Sequence, residues 1–181
     1  SKFDDGSDHL LDGNKDTYAK YIAGLQVAGH VGVVAIQTKD KAKTFRQTFN
    51  IDDNEKVKVG FVVQSKGTGL NVNLLNGYSM EFYKAGEKVY SSLLNQANVL
   101  NLAVAGSDKL QKMEFAAVVP EKIDFDQMAL YHDGVLGVNA SEQDFYYPFY
   151  EFGDDIDKCD DPLGCDPTLI SAAIPSSLTD Q

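Results

Sequence analysis

Short apolar runs rich in Val, Phe, Tyr and Leu recur along most of the chain, separated by Gly, Asn and Asp at intervals of about ten residues. That spacing predicts an antiparallel sandwich or barrel with few helices. Apolar and polar positions alternate most clearly in Val57-Lys58-Val59-Gly60-Phe61 and Met80-Glu81-Phe82-Tyr83, as in a pleated strand with one face turned to a core. The predicted strands cover 32–38, 44–49, 56–64, 78–84, 87–93, 100–104, 112–118, 127–132 and 144–152. Lys84-Ala85-Gly86-Glu87-Lys88 reads as a hairpin turn between two of them. Residues 70–75 read as strand or a short helical turn, and 17–28 as able to hold a helical turn. No internal repeat is visible.

A chain of 181 residues with 43% apolar side chains can build one real core. No stretch approaches the roughly 20 unbroken apolar residues of a membrane-crossing helix, so membrane insertion is not expected. Sixteen Lys and Arg against 27 Asp and Glu give a net charge of −11. That balance argues against nucleic acid, whose binding releases counterions to a basic surface, and favours hard cations, calcium above all. The acid is uneven. Eight of the 27 acidic residues lie from Glu151 onward against a single lysine, so −7 of the −11 sits there and −4 in residues 1–150. Three of the five prolines and both cysteines fall in the same stretch. Residues 1–152 are therefore expected to be the folded unit, and 153–181 an acidic, Cys-containing C-terminal appendage or linker. Five residues separate Cys159 from Cys165, a spacing a turn can bring to disulfide distance. Such a bond implies an oxidising compartment, extracellular or at a cell surface.

Leu11-Asp12-Gly13-Asn14-Lys15-Asp16-Thr17-Tyr18-Ala19 gathers oxygen-bearing side chains around a glycine in one short loop. It resembles the Asp-Gly-Asn-x-x-Thr-x-Trp loop of discoidin-like, or galactose-binding-like, β-sandwiches, the group that includes the family 32 carbohydrate-binding modules. The resemblance implies an all-β antiparallel sandwich of jelly-roll type with a structural calcium ion. Asp12 and Thr17 would give side-chain oxygens, Leu11 and Asn14 backbone carbonyls, and Glu151 the closing carboxylate, a donor set suited to calcium's six to eight oxygens. The alternative for this loop is an ordinary Asp-Gly turn whose carboxylate accepts backbone N–H bonds. The segments 59–63, 74–80, 82–89 and 124–131 look like modules of large secreted surface proteins of Bacteroidetes-type bacteria, which implies adhesion or glycan contact and further domains in the parent chain.

Asp157, Asp160 and Asp161 form a second candidate cation cluster, set against a solvated acidic linker. Tyr131-His132-Asp133 offers a ring, an imidazole and a carboxylate where a strand ends in a turn, a set that could contact a sugar. Its alternative is a hairpin turn with Tyr131 in the core. The run Lys39, Lys41, Lys43 and Arg46 reads as a solvated strand edge. His9, His30 and His132 have no Ser or Cys in a nucleophile context, and Gly-x-Ser-x-Gly, His-Glu-x-x-His and phosphate-loop motifs are absent. The expectation is a non-catalytic, calcium-stabilised binding module of a secreted protein that contacts glycans. A structural or protein-interaction module without a small ligand, or a hydrolase of unrecognised type, are the alternatives.

Overall fold

In the computed structural model of the chain, the described residues are 3, 5–23, 29–66, 77–94, 112–134, 141–156, 168–170 and 173–176. They form an all-β sandwich of two antiparallel sheets. In chain order the strands are β1 (Ala19–Ala23), β2 (Gly29–Thr38), β3 (Val57–Lys66), β4 (Tyr78–Lys84), β5 (Glu87–Leu94), β6 (Lys112–Val119), β7 (Gln127–Gly134), β8 (Ser141–Phe152), β9 (Thr168–Leu169) and β10 (Ala173–Ser176). One sheet runs β1-β8-β3-β6, with β9 also paired to β8. The other runs β10-β2-β7-β4-β5. Hydrogen bonding joins β1 to β8, β2 to β7, β3 to β6 and β4 to β5.

The alternation read from sequence sets the two inner faces. Val57, Val59, Phe61 and Val63 of β3 are each fully buried and meet Phe115, Ala117 and Val119 of β6 and Phe145 of β8 in the core. Val33, Val34 and Ile36 of β2, Tyr78, Met80 and Phe82 of β4, and Met128 and Leu130 of β7 close the core from the opposite sheet. A bulge in the β2/β7 ladder between Gly32 and Val34 adds one residue, which turns both Val33 and Val34 inward. Gly60 of β3 lies directly against β6. A Cβ there would meet the carbonyl oxygen of Phe115 and lie 2.6 Å from Ala116 Cα.

Two elements differ from the expectation. Residues 44–49 are not a strand: Phe45–Phe49 is a short helix, α1. Thr44 Oγ1 accepts from the Gln47 backbone N–H while the Gln47 side chain accepts from the Thr44 N–H, a capping box that outweighs the β-leaning composition. Residues 19–23 are strand rather than helical turn, because Ala19 and Tyr21 alternate into the core on an edge paired with Phe145 and Gln143. The other turn-or-strand segment, 70–75, and the predicted strand 100–104 lie outside the described residues.

The lysine-rich run is also only partly solvated, since Arg46 is 1% exposed. Its guanidinium donates to the carbonyls of Ile123, Asp52, Glu55 and Pro120 at 2.7–3.1 Å. It ties the turn after α1 to the loop between β6 and β7.

The sheets continue past residue 152. Leu169 and Thr168 pair with Phe149 and Tyr150, Ala173–Ser176 pair with Ala35–Thr38, and Ile170 is fully buried in the core. The stretch read as an appendage therefore supplies a short strand to each sheet. Cys159, Cys165, Asp157, Asp160 and Asp161 lie outside the described residues.

Candidate functional site

The outer face of the β10-β2-β7-β4-β5 sheet carries a cluster of ionisable and aromatic side chains. Strand alternation places Tyr131 and Asp133 of β7 on this face, and pairing brings His30 of β2 opposite Asp133 and Glu81 of β4 opposite Ala129. The residue opposite Tyr131 is Gly32. With no side chain there, the His30 ring lies over Tyr131, centroids 4.2 Å apart and planes 6° from parallel. His30 Nδ1 is 2.7 Å from Asp133 Oδ1 and its Nε2 is 3.6 Å from Glu81 Oε1. Two carboxylates thus flank one imidazole and fix its orientation.

Glu81 anchors the other side. Its Oε2 accepts from the Tyr83 hydroxyl at 2.6 Å and its Oε1 from Lys88 Nζ at 3.2 Å. The Tyr83 and Tyr131 hydroxyls are 3.3 Å apart. Burial pushes the Glu81 carboxyl up, but the hydrogen bonds from Tyr83 and Lys88 and the neighbouring Lys88 and His30 charges outweigh it, so the net shift is downward. Tyr83 moves the other way: burial first, then its bond to Glu81, hold the phenol well above its ordinary value. The floor of the patch is made of small buried residues, Ala35 and Ala129. His30 and Asp133 are about half exposed, with side-chain values of 45% and 52%, whereas Tyr131 is only 4% exposed beneath His30. The flat surface offered to solvent is therefore the imidazole, rimmed by carboxylate oxygens and an ammonium.

Of the three neighbouring residues singled out in sequence, the structure brings Tyr131 and Asp133 together and separates His132 from them. His132 points to the opposite side of the sheet, with its ring 4.5 Å from that of Tyr78. Burial lowers its pKa, partly offset by Asp133. His30, Glu81 and Tyr83 complete the cluster and escaped the sequence reading, because they join it only through strand register.

The 12–17 loop folds as a self-bonded turn. Asp12 Oδ1 accepts from the Asn14 N–H at 2.8 Å and Asp12 Oδ2 from the Thr17 hydroxyl at 2.6 Å. Thr17 Oγ1 is also 3.1 Å from the Asn14 carbonyl oxygen. The Thr17 bond leads in holding the Asp12 carboxyl below its usual value. Asp12, Asn14 and Thr17 thus bring three oxygens to one point, which fits part of a calcium shell but falls short of six. Leu11 is half-buried against the core. Glu151 is 3.4 Å from Lys58 Nζ, so its carboxylate is engaged with a cation. It also lies four residues, roughly 13 Å of strand, beyond Tyr147, the ring that Lys15 of the loop covers at 5.5 Å. Among the described residues no group of three or more His, Cys, Asp or Glu is arranged to hold a metal.

A polar cleft of about 680 Å³ lies beside α1, lined by Thr44, Gln47, Asp52, Asp53, Lys84, Lys122 and Asp124 among others. Among the described residues no helix is long and apolar enough to cross a membrane. No family model matches the chain, and no curated protein or solved structure matches it.

Proposed function

We propose that the chain is a non-catalytic binding module that contacts a glycan through the His30–Glu81–Asp133 patch. The observation that carries the reading is a planar imidazole held between two carboxylates on an open sheet face, with Tyr83 and Lys88 fixing Glu81. Sugars present pairs of hydroxyls to carboxylates and a C–H face to flat rings, and this patch offers both in preorganised form. The hairpin-like pairing of β1 with β8 through β4 with β5 supports a jelly-roll sandwich, in line with the resemblance to galactose-binding-like modules. Three converging oxygens at Asp12, Asn14 and Thr17 support a stabilising calcium ion in the N-terminal loop. On this reading the chain works outside the cell as part of a larger bacterial surface protein, with Cys159 and Cys165 closed into a small loop.

A glycan array probed with the wild-type chain and with Glu81→Ala tests the reading. Binding of a defined set of sugars by the wild type, lost in the variant while its unfolding midpoint holds, supports it. Silence of the wild type across a broad array refutes it and favours a structural module. Calcium is tested separately by thermal unfolding. Ion at about 100 times its Kd adds about 2.7 kcal/mol, so chelator is expected to lower Tm by roughly 5–10 °C. An unchanged midpoint removes the ion.

A further inference from the structure

We propose that Lys58 and Glu114 form an intramolecular amide cross-link that ties β3 to β6 and needs no cofactor. Lys58 sits on the outer face of its sheet yet is fully buried, and Glu114 and Glu151 are each only 9% exposed. Lys58 Nζ is 2.6 Å from Glu114 Oε2 and 3.4 Å from Glu151 Oε2, and 5.8 Å from the centre of the Phe149 ring. One ammonium between two carboxylates gathers net negative charge where little water reaches, and bringing three ions together out of water is costly. The Lys58–Glu114 contact is also not a hydrogen bond: despite the short distance, Glu114 Oε2 has no hydrogen-bond partner. The amine is pressed against the carboxyl group outside hydrogen-bonding geometry.

Register explains how the two residues meet. Lys58 lies opposite Val118 and Glu114 opposite Val62, so the lysine side chain runs along the sheet face past Gly60 and Ala116. Gly60 has no Cβ and Ala116 only a methyl, which clears that path. Holding an amine and a carboxyl group in contact replaces a bimolecular encounter by an effective molarity of about 10⁵–10⁸ M in well-oriented systems.

In the step, Nζ bonds to Glu114 Cδ and the Cδ–Oε2 bond breaks. Both protons given up by Nζ depart on Oε2 as water, one of them relayed by Glu151. Ammonium plus carboxylate becomes amide plus water, with no change of oxidation state. The amide N–H then donates to Glu151, and the apolar surroundings of Val62, Ala116 and Phe149 keep out the water that would reverse the reaction.

The mass of the intact, denatured 181-residue chain tests this directly. The wild type is expected to be lighter than its sequence by one water, and a tryptic digest to contain a branched peptide joining Lys58 to Glu114. Lys58→Arg is expected to restore the full mass, and Glu151→Gln to leave most molecules unlinked. A wild-type mass equal to the sequence overturns the proposal whatever the variants do. So does a branch at any other pair, or a loss of water that persists in Lys58→Arg.

Discussion

Replacing Arg46 by Ala removes the most heavily bonded side chain between α1 and the β6–β7 loop. The guanidinium is 1% exposed and its four hydrogen bonds go to main-chain carbonyls of Asp52, Glu55, Pro120 and Ile123. A buried acceptor left without a donor costs about 1–3 kcal/mol, although water entering the vacated space restores some of the bonds. Four such acceptors with partial rescue give a loss of about 4 kcal/mol, within the range of about 3–5 found when a buried charged network is broken. With a urea slope of about 2 kcal/mol per M, the midpoint of denaturation falls by about 2 M. Tm falls by roughly 8–16 °C for a domain of this size. Arg46→Lys keeps the charge but has three donors for four carbonyls and no planar fork, so about half the loss is expected. Urea titration followed by tryptophan-free probes, such as far-ultraviolet circular dichroism, reads both variants. A loss under about 1 kcal/mol for Arg46→Ala would refute the reasoning, since that is the usual range of a surface substitution.

Thr44→Ala removes the capping box of α1 and is expected to cost about 1 kcal/mol by the same titration; no change would mean that the cap is satisfied otherwise. Ala85 and Gly86 form the β4–β5 turn with φ of 50° and 82°, a left-handed pair that suits Asn-Gly better than Ala-Gly. Ala85→Asn is therefore expected to raise stability by about 0.5 kcal/mol, and a loss would contradict the turn assignment. His132 is held below its ordinary value of 6.5 by burial, so the unfolded chain takes up the proton first as pH falls. Its contribution to stability is complete above about pH 6.5 and declines below it. His132→Asn is expected to flatten the fall in stability between about pH 6.5 and 5, and an unchanged slope would show that His132 does not carry it. His9, raised mainly by its bond to the Tyr18 carbonyl, acts in the opposite sense, giving stability that is present below pH 6.5 and lost as pH rises through its folded value.

Strand alternation alone was enough to read β3 and β4, because Val57, Val59 and Phe61 announce an inward face at every second position. The same rule sorts Tyr131 and Asp133 onto one face and His132 onto the other. It says nothing of what lies beside them. His30 is 103 residues from Asp133, and only the β2/β7 register, with its bulge after Gly32, sets them side by side. Glu81 likewise reads as the solvent-facing member of an alternating strand, and its role follows from the neighbour that pairing gives it. In Thr44–Phe49 the helix signal is local and present in the sequence as a Thr-x-x-Gln cap. Lys58 occupies a polar phase of β3 and yet is fully buried, a placement that no periodicity encodes. The β3/β8 ladder sets Glu151 opposite Lys58, a neighbour that sequence spacing does not reveal.

Amide chemical shifts of the ¹⁵N-labelled chain, recorded during titration with the best glycan from an array, report the contact surface residue by residue. Shifts concentrated at His30, Glu81, Tyr83, Tyr131 and Asp133, and abolished in Glu81→Ala, are the expected result. Saturable shifts confined to another surface, such as the cleft beside α1 or the 12–17 loop, would contradict the assignment of this sheet face as the one that binds.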